Sequence, residues 1–189
     1  MAADVIYTAP TSEPLTIDEA REHLKVDIST DDMLISSLII AAREYYEKFQ
    51  RPPRVLMTQT REKYLESWPA ENYIELTSPL VSVTSVSYYG TDDTPYTIES
   101  GDYYVDTKSF VGRVGLAYGK SWPTTTLRPF NGICIRYVCG AAAADEMIKA
   151  GLKLLIGHLY ENREAGTERA LQEIPFGVKT LLGMDRVPI

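Results

Sequence analysis

Arg51-Pro-Pro53 marks the point at which the hydrophobic pattern of this chain changes its period, and that change constrains the fold more than any other feature. Before it, apolar residues recur three and four apart; from Val55 to Val138 they alternate with polar ones; from about Asp145 the helical spacing returns. Two successive prolines cannot continue a helix, because neither offers a backbone N–H and each ring clashes with the preceding turn. The order helix, sheet, helix implies an α+β fold in which N- and C-terminal helices form a helical domain with a mostly antiparallel β insertion between them. The expected division is 1–54 for the N-terminal helices, 55–140 for the β-rich insertion and 141–189 for a C-terminal helix, linker and terminal hook, all in one α+β unit.

Thr16-Ile-Asp-Glu19 is a capping box: the Thr hydroxyl and the Glu carboxylate satisfy each other's orphan backbone N–H groups. A short helix to about Leu24 should follow. A longer one is predicted from about Asp31 to Phe49, with acids in its first turn and the stripe Leu34, Ile35, Leu38, Ile39, Ala42, Tyr45, Tyr46 and Phe49 as its core face. Met33 and Ile40 fall on the opposite face, among Ser36, Ser37, Glu44 and Glu47, where they are either stray surface apolars, which are common, or a subunit contact. A third helix, about Asp145 to Asn162, carries Ile148, Leu152, Leu155 and Leu159 on its central stripe, with Met147, Leu154, Ile156 and Tyr160 extending the apolar surface around its sides. Ala150 and Gly157 sit at its back, where small side chains would admit a close neighbour.

The middle third predicts strands over Met57–Leu65, Tyr73–Leu76, Val81–Tyr89, Tyr96–Glu99, Tyr103–Asp106, Arg113–Ala117 and Ile133–Val138, separated by turn signals such as Gly90-Thr-Asp-Asp93 and Ser100-Gly-Asp102. Cys134 and Cys139 fall in one of these strands on opposite faces, about 16 Å apart in a regular strand, too far to bridge each other. They read as small buried apolar residues, not as a metal or redox pair, since no C-x-x-C spacing accompanies them.

The net charge of −7 is concentrated: residues 1–50 hold 4 basic and 10 acidic side chains, whereas 51–140 hold 9 of each. An acidic chain without a basic cluster gains little from phosphate neutralisation, so DNA as a gripped ligand is disfavoured. No apolar run approaches the roughly 20 residues needed to cross a bilayer, and the start lacks a signal-peptide pattern, so no membrane partner and a cytoplasmic site of synthesis are expected.

Catalytic chemistry finds no foothold. Gly119-Lys-Ser121 resembles the end of a phosphate-binding loop, but position 114 is Val where that loop needs Gly, and Trp122-Pro123 prevents the helix that should follow. His158 and Glu161, one turn apart, are too few ligands for a metal, and His158 reads as a histidine at the edge of the core. No G-x-S-x-G elbow is present, and Asp31-Asp32 and Asp92-Asp93 are explained by a helix start and a turn. No catalytic, cofactor-binding or metal site is expected, and no cofactor.

Several segments, in their order, resemble the head–tail connector (adaptor or head-completion) proteins of long-tailed phages, prophages and gene-transfer particles. They are Pro14-Leu-Thr-Ile-Asp-Glu-Ala-Arg-Glu-His-Leu-Lys25, Asp32-Met-Leu-Ile-Ser-Ser-Leu-Ile-Ile-Ala-Ala-Arg-Glu-Tyr-Tyr-Glu47, Thr58-Gln-Thr60, Pro79-Leu-Val-Ser-Val-Thr-Ser-Val86, Tyr118-Gly-Lys-Ser-Trp-Pro123, Arg128, Leu155-Ile-Gly-His-Leu-Tyr-Glu-Asn-Arg-Glu164 and Pro175-Phe-Gly-Val178. The resemblance spans nearly the whole chain. It implies a non-enzymatic virion protein, assembled in the host cytoplasm. Its copies would form a dodecamer-like ring at the neck, with a copy number matching the portal-vertex symmetry. The implied partners are the portal protein above, a tail-side or stopper protein below, and DNA passing through the channel without sequence-specific binding.

In that role Tyr160, Glu161, Asn162 and Arg163 at a helix end would hydrogen-bond a neighbour, and the Pro175-Phe176 hook would dock in one. Alternatively, Trp122, Pro123 and Phe176 close the subunit's own core. The terminal segment 165–189, whose apolar residues are Ile174, Phe176, Val178, Leu181 and Leu182, is expected to order only on assembly. The competing functions are a nucleic-acid-binding or regulatory domain, which needs a basic groove assembled from the nine basic residues of 51–140, and a small enzyme with a site built from distant residues.

Overall fold

The computed structural model describes residues 3–50, 52–162 and 182–183. The chain divides into two compact units, one made of residues 1–11 and 58–141, the other of 12–57 and 142–189. The fold is mixed, with α-helices in one unit and antiparallel sheets in the other.

The helical unit begins as the capping box dictates. Thr16 Oγ1 accepts from the Glu19 amide at 3.1 Å, and Glu19 Oε2 accepts from the Thr16 amide at 2.8 Å. Helix α1 (Ile17–Leu24) then runs until Lys25 closes it in the left-handed region at φ 57°. A single 3₁₀ turn, Ser29–Asp31, leads into α2 (Asp32–Phe49), and α3 (Glu146–Glu161) returns from the β-rich residues. Ile35, Ile39, Ala42 and Tyr46 of α2 are buried with Ile148, Leu152, Leu155 and Ile156 of α3 in one core that also takes Leu15, Ala20, Leu56 and Met57. Leu182 belongs to this core too, 4% exposed, and its carbonyl accepts from Gln50 Nε2 at 3.1 Å. This corrects the expectation that all the apolar residues of 165–189 wait for assembly. One of them is an intrasubunit core residue.

Arg43 lies in this unit at 5% exposure, a charge that burial would make costly if it stood alone. Glu13 Oε2 accepts from its Nε at 2.7 Å, and Glu47 Oε2 from its Nη1 at 3.4 Å.

The β unit holds two antiparallel sheets. The larger has the order β1-β2-β8-β4-β5, built from β1 (Ala3–Thr8), β2 (Gln59–Leu65), β8 (Ile133–Cys139), β4 (Leu80–Tyr89) and β5 (Pro95–Thr97). The smaller has the order β3-β7-β6, from β3 (Tyr73–Leu76), β7 (Gly112–Leu116) and β6 (Tyr103–Asp106). All seven strands anticipated in the middle third form, with ends displaced by one or two residues. Strand β8 is central, flanked by β2 and β4, so Ile133, Cys134, Ile135, Tyr137 and Cys139 are all buried and its alternation is blurred. Gly112 is required where β7 passes Leu80 of β4: a Cβ there would stand 2.3 Å from the Leu80 Cβ.

Strand β1 is not anticipated by the sequence pattern, which assigns residues 1–54 to helices. Ala3–Tyr64, Asp4–Lys63, Val5–Glu62 and Ile6–Arg61 pair across to β2, so the first residues join the β unit. Val5, Ile6 and Tyr7 are consecutive and therefore show no period of two. Their strand character comes from a partner strand more than fifty residues away.

Candidate subunit interface

Met33 and Ile40 are seven residues apart, so at 100° per residue they stand about 20° from each other on α2. Both are exposed, Met33 at 89% and Ile40 at 39%. On α3 the exposed apolar residues are Met147 and Leu154, again seven apart, with the exposed Ala150 between them. Gly157 is half-buried and looks onto its own unit, since a Cβ there would meet His23 Nε2 at 3.7 Å.

The polar residues at the end of α3 divide. The Tyr160 hydroxyl donates to Asp31 Oδ2, and the ring packs partly against the helical core. Asn162 Nδ2 donates to the His158 carbonyl at 2.7 Å, closing the last turn of its own helix. Glu161 is exposed. Arg163, Pro175 and Phe176 lie outside the described residues, as does the rest of the linker at 165–173.

Trp122 stacks on Trp68 with ring centroids 4.6 Å apart and planes 6° from parallel, and its Nε1 donates to the Glu71 carbonyl at 3.0 Å. It thereby closes its own unit, the alternative left open for it by the sequence. The edge strand β1 was missed as a surface: Val5, Ile6 and Tyr7 are 45%, 47% and 55% exposed on a strand paired on one side only. Three apolar residues in a row were the available signal.

The polar groups of the β unit are organised as ion pairs. Arg61 Nε donates to Asp4 Oδ1 at 2.9 Å, Arg113 Nη2 to Asp106 Oδ2 at 2.7 Å, Arg128 Nη1 to Asp93 Oδ1 at 2.6 Å and Arg136 Nη2 to Glu62 Oε1 at 2.7 Å. Lys120 Nζ stands 2.7 Å from Asp102 Oδ1. Burial pushes the Glu62 carboxyl up, but hydrogen bonds from Tyr64 and Arg136 more than offset this and hold it below the ordinary 4.5. Hydrogen bonds from Ser109 and Arg113 hold Asp106 well below the usual carboxylate range. These are structural pairings.

Gly119, at φ 76°, lies in a turn over Ala117–Lys120, where the Ala117 carbonyl accepts from the Lys120 amide at 3.0 Å, and no helix follows Gly119-Lys-Ser121. Neither cysteine is in a disulfide, both are buried, and burial pushes the Cys134 thiol up. Among the described residues no three His, Cys, Asp or Glu side chains converge to hold a metal, and no helix is long and apolar enough to cross a membrane. An open cleft of ≈ 360 Å³ runs along β2 and β3 past Lys63, Leu65, Glu71 and Tyr73. Burial lowers the Lys63 ammonium from its ordinary value, and its Nζ donates to the Glu75 carbonyl at 2.6 Å, which occupies it structurally.

No protein-family model matches the sequence, and no curated protein matches it either. The fold does have solved counterparts. One is a chain from the neck of an empty GTA particle, computed with C6 symmetry: TM-score 0.80, 20% identity, covering 99% of this chain and 97% of that one. A second is a chain from the virion of a native gene transfer agent particle, with TM-score 0.79, 20% identity and coverage of 98% and 96%. A third comes from the neck of a native GTA particle computed with C12 symmetry, with TM-score 0.73, 18% identity and coverage of 99% and 97%. The chain therefore shares, over nearly its whole length, the fold of proteins found in the necks of gene transfer agent particles.

Proposed function

We propose that this chain is a structural subunit of the neck of a phage-type particle, a head–tail connector that forms a ring beneath the portal and receives the tail. The observation that carries this reading is the near-complete, two-way coverage of the fold match to neck chains, which includes the helices and both sheets. A shared helical bundle alone would mean little; a shared order of helices, strands and return helix is much harder to reach by chance. In this reading the β unit is an insertion in a helical domain. The subunit is assembled in the host cytoplasm, becomes part of the virion, and works by contact rather than catalysis.

The closed symmetry of the neck reconstructions suits a ring of identical copies, whose number would follow the portal vertex. Portal above and stopper or tail protein below are the proposed partners. DNA is a passenger, not a ligand. Five of the nine basic residues of 51–140 are held by carboxylates of their own unit, namely Arg61, Arg113, Lys120, Arg128 and Arg136, which leaves little for a phosphate-gripping groove. The channel wall should be acidic or neutral so that DNA slides past it, and the acid-rich residues 1–50 are its proposed source.

Among the proposed contacts, Glu161 is exposed and available to a neighbour, whereas Phe176 is proposed only from the resemblance. Its test is Phe176→Ala, expected to leave thermal melting unchanged while impairing the joining of heads to tails. The whole reading is tested by imaging particles that contain this protein. Density for it at the neck is expected. Its distribution over the capsid shell, or a ring channel lined chiefly by Arg and Lys, would overturn the reading.

A further inference from the structure

Helices α2 and α3 each carry a pair of large apolar side chains on the surface turned away from the core they share. On α2, Met33 and Ile40 face away from Ile35, Ile39 and Tyr46; on α3, Met147 and Leu154 face away from Leu152 and Leu155. Each pair is seven residues apart, about 10.5 Å along a helix axis, so the two faces match in spacing. Each also has a small exposed residue beside the pair, Ser37 on α2 and Ala150 on α3, into which a facing side chain can settle.

We infer that the Met147–Leu154 face of one copy docks on the Met33–Ile40 face of the next, forming a head-to-tail seam between subunits. The inference deepens the ring reading above and rests on it. The occupant is a second copy because one chain presents both halves of the contact on different helices. Unlike faces that meet once per contact generate a ring or a filament, whereas a two-fold dimer would close both faces of each copy in a single contact, α2 of each on α3 of the other.

The size of the seam fits the same occupant. At roughly 175 Å² of surface per side chain, exposures of 89%, 39%, 53% and 43% leave on the order of 400 Å² of apolar surface uncovered. A stable pairwise interface needs about 1,200 Å² or more, so one seam does not hold two free copies together. In a closed ring every copy makes two seams and shares a platform, and the contacts then reinforce one another through effective concentration. A subunit that is monomeric alone and closes only at its platform follows.

The test uses two full-length double variants, Met33→Cys with Leu154→Cys for helices that meet antiparallel and Met33→Cys with Met147→Cys for helices that meet parallel, each concentrated and mildly oxidised so that even a short-lived contact is trapped. A ladder of disulfide-linked dimers, trimers and larger species is expected from one of them, at least about tenfold more abundant than cross-linked product from any single variant, because only a head-to-tail contact leaves a free face at each end of the growing chain. Product that stops at dimers, from Met33→Cys alone or from a double variant, would mean a two-fold contact and would overturn the seam. No cross-linking in any variant would overturn it as well. The neck reading is judged separately by imaging: protein at the neck without a ladder defeats only the seam, and a ladder from a protein absent from the neck defeats only the neck assignment.

Discussion

Tyr137 donates a 2.7 Å hydrogen bond to Asp4 across 133 residues of sequence, and this bond fastens the first strand to the centre of the β unit. The same Asp4 Oδ2 accepts from Thr77 Oγ1 at 2.6 Å, while Oδ1 takes the Arg61 guanidinium. Tyr137 is fully buried, and burial together with the Asp4 charge pushes its hydroxyl far above the usual tyrosine range. Asp4→Ala strands a buried hydroxyl and a guanidinium whose side chain is 15% exposed. The expected loss is about 2–3 kcal/mol, below the full cost of breaking a buried pair because Asp4 itself is a quarter exposed. Urea unfolding measures it; a loss under about 0.5 kcal/mol would mean that β1 contributes little to the unit.

Gly112→Ala forces a methyl group to within 2.3 Å of the Leu80 Cβ, so one strand must move. We expect about 2–3 kcal/mol of destabilisation. Removing the neighbour's Cβ as well, in Gly112→Ala with Leu80→Gly, should cost at least ~1 kcal/mol less than the two single changes added together, because the collision is shared. Strict additivity in a double-mutant cycle would refute close packing of β7 on β4.

The capping box makes a smaller, local prediction. Thr16→Ala removes the acceptor for the Glu19 amide and should cost about 1 kcal/mol of thermal stability. Thr16→Asp keeps an acceptor and should restore most of it. Equal melting temperatures for the Ala and Asp variants would argue against the cap.

Acid should weaken the β unit. Glu62 and Asp106 both have folded-state values below their ordinary 4.5 and 3.8, so their pairing contributes stability that is complete above those ordinary values and is lost as pH falls through the lowered ones. Lowering pH from about 6 to about 3 should therefore reduce the denaturation midpoint progressively. Glu62→Gln should be less stable at neutral pH yet show a shallower decline, since it has no carboxylate at position 62 left to protonate. A decline as steep in Glu62→Gln as in the parent chain would remove Glu62 from the account.

What the sequence determined by itself is local. The capping box sets the start of α1, Arg51-Pro-Pro53 prevents α2 from continuing, and alternation between Tyr73 and Leu76 or Tyr103 and Asp106 places strands to within a residue or two, because each rests on backbone chemistry and periodicity among near neighbours. It also singled out Met33 and Ile40 as outward-facing, since a helix converts spacing directly into a face. The tertiary structure alone decided that Val5-Ile6-Tyr7 is an edge strand, that Arg43 is buried between Glu13 and Glu47, that Leu182 completes the helical core, and that Tyr160 bonds Asp31 in its own unit. Each of those depends on a partner tens to more than a hundred residues distant. Local pattern carries no information about which distant group arrives, and the free energy of burying a charge, an edge or a hydroxyl is settled only when it does.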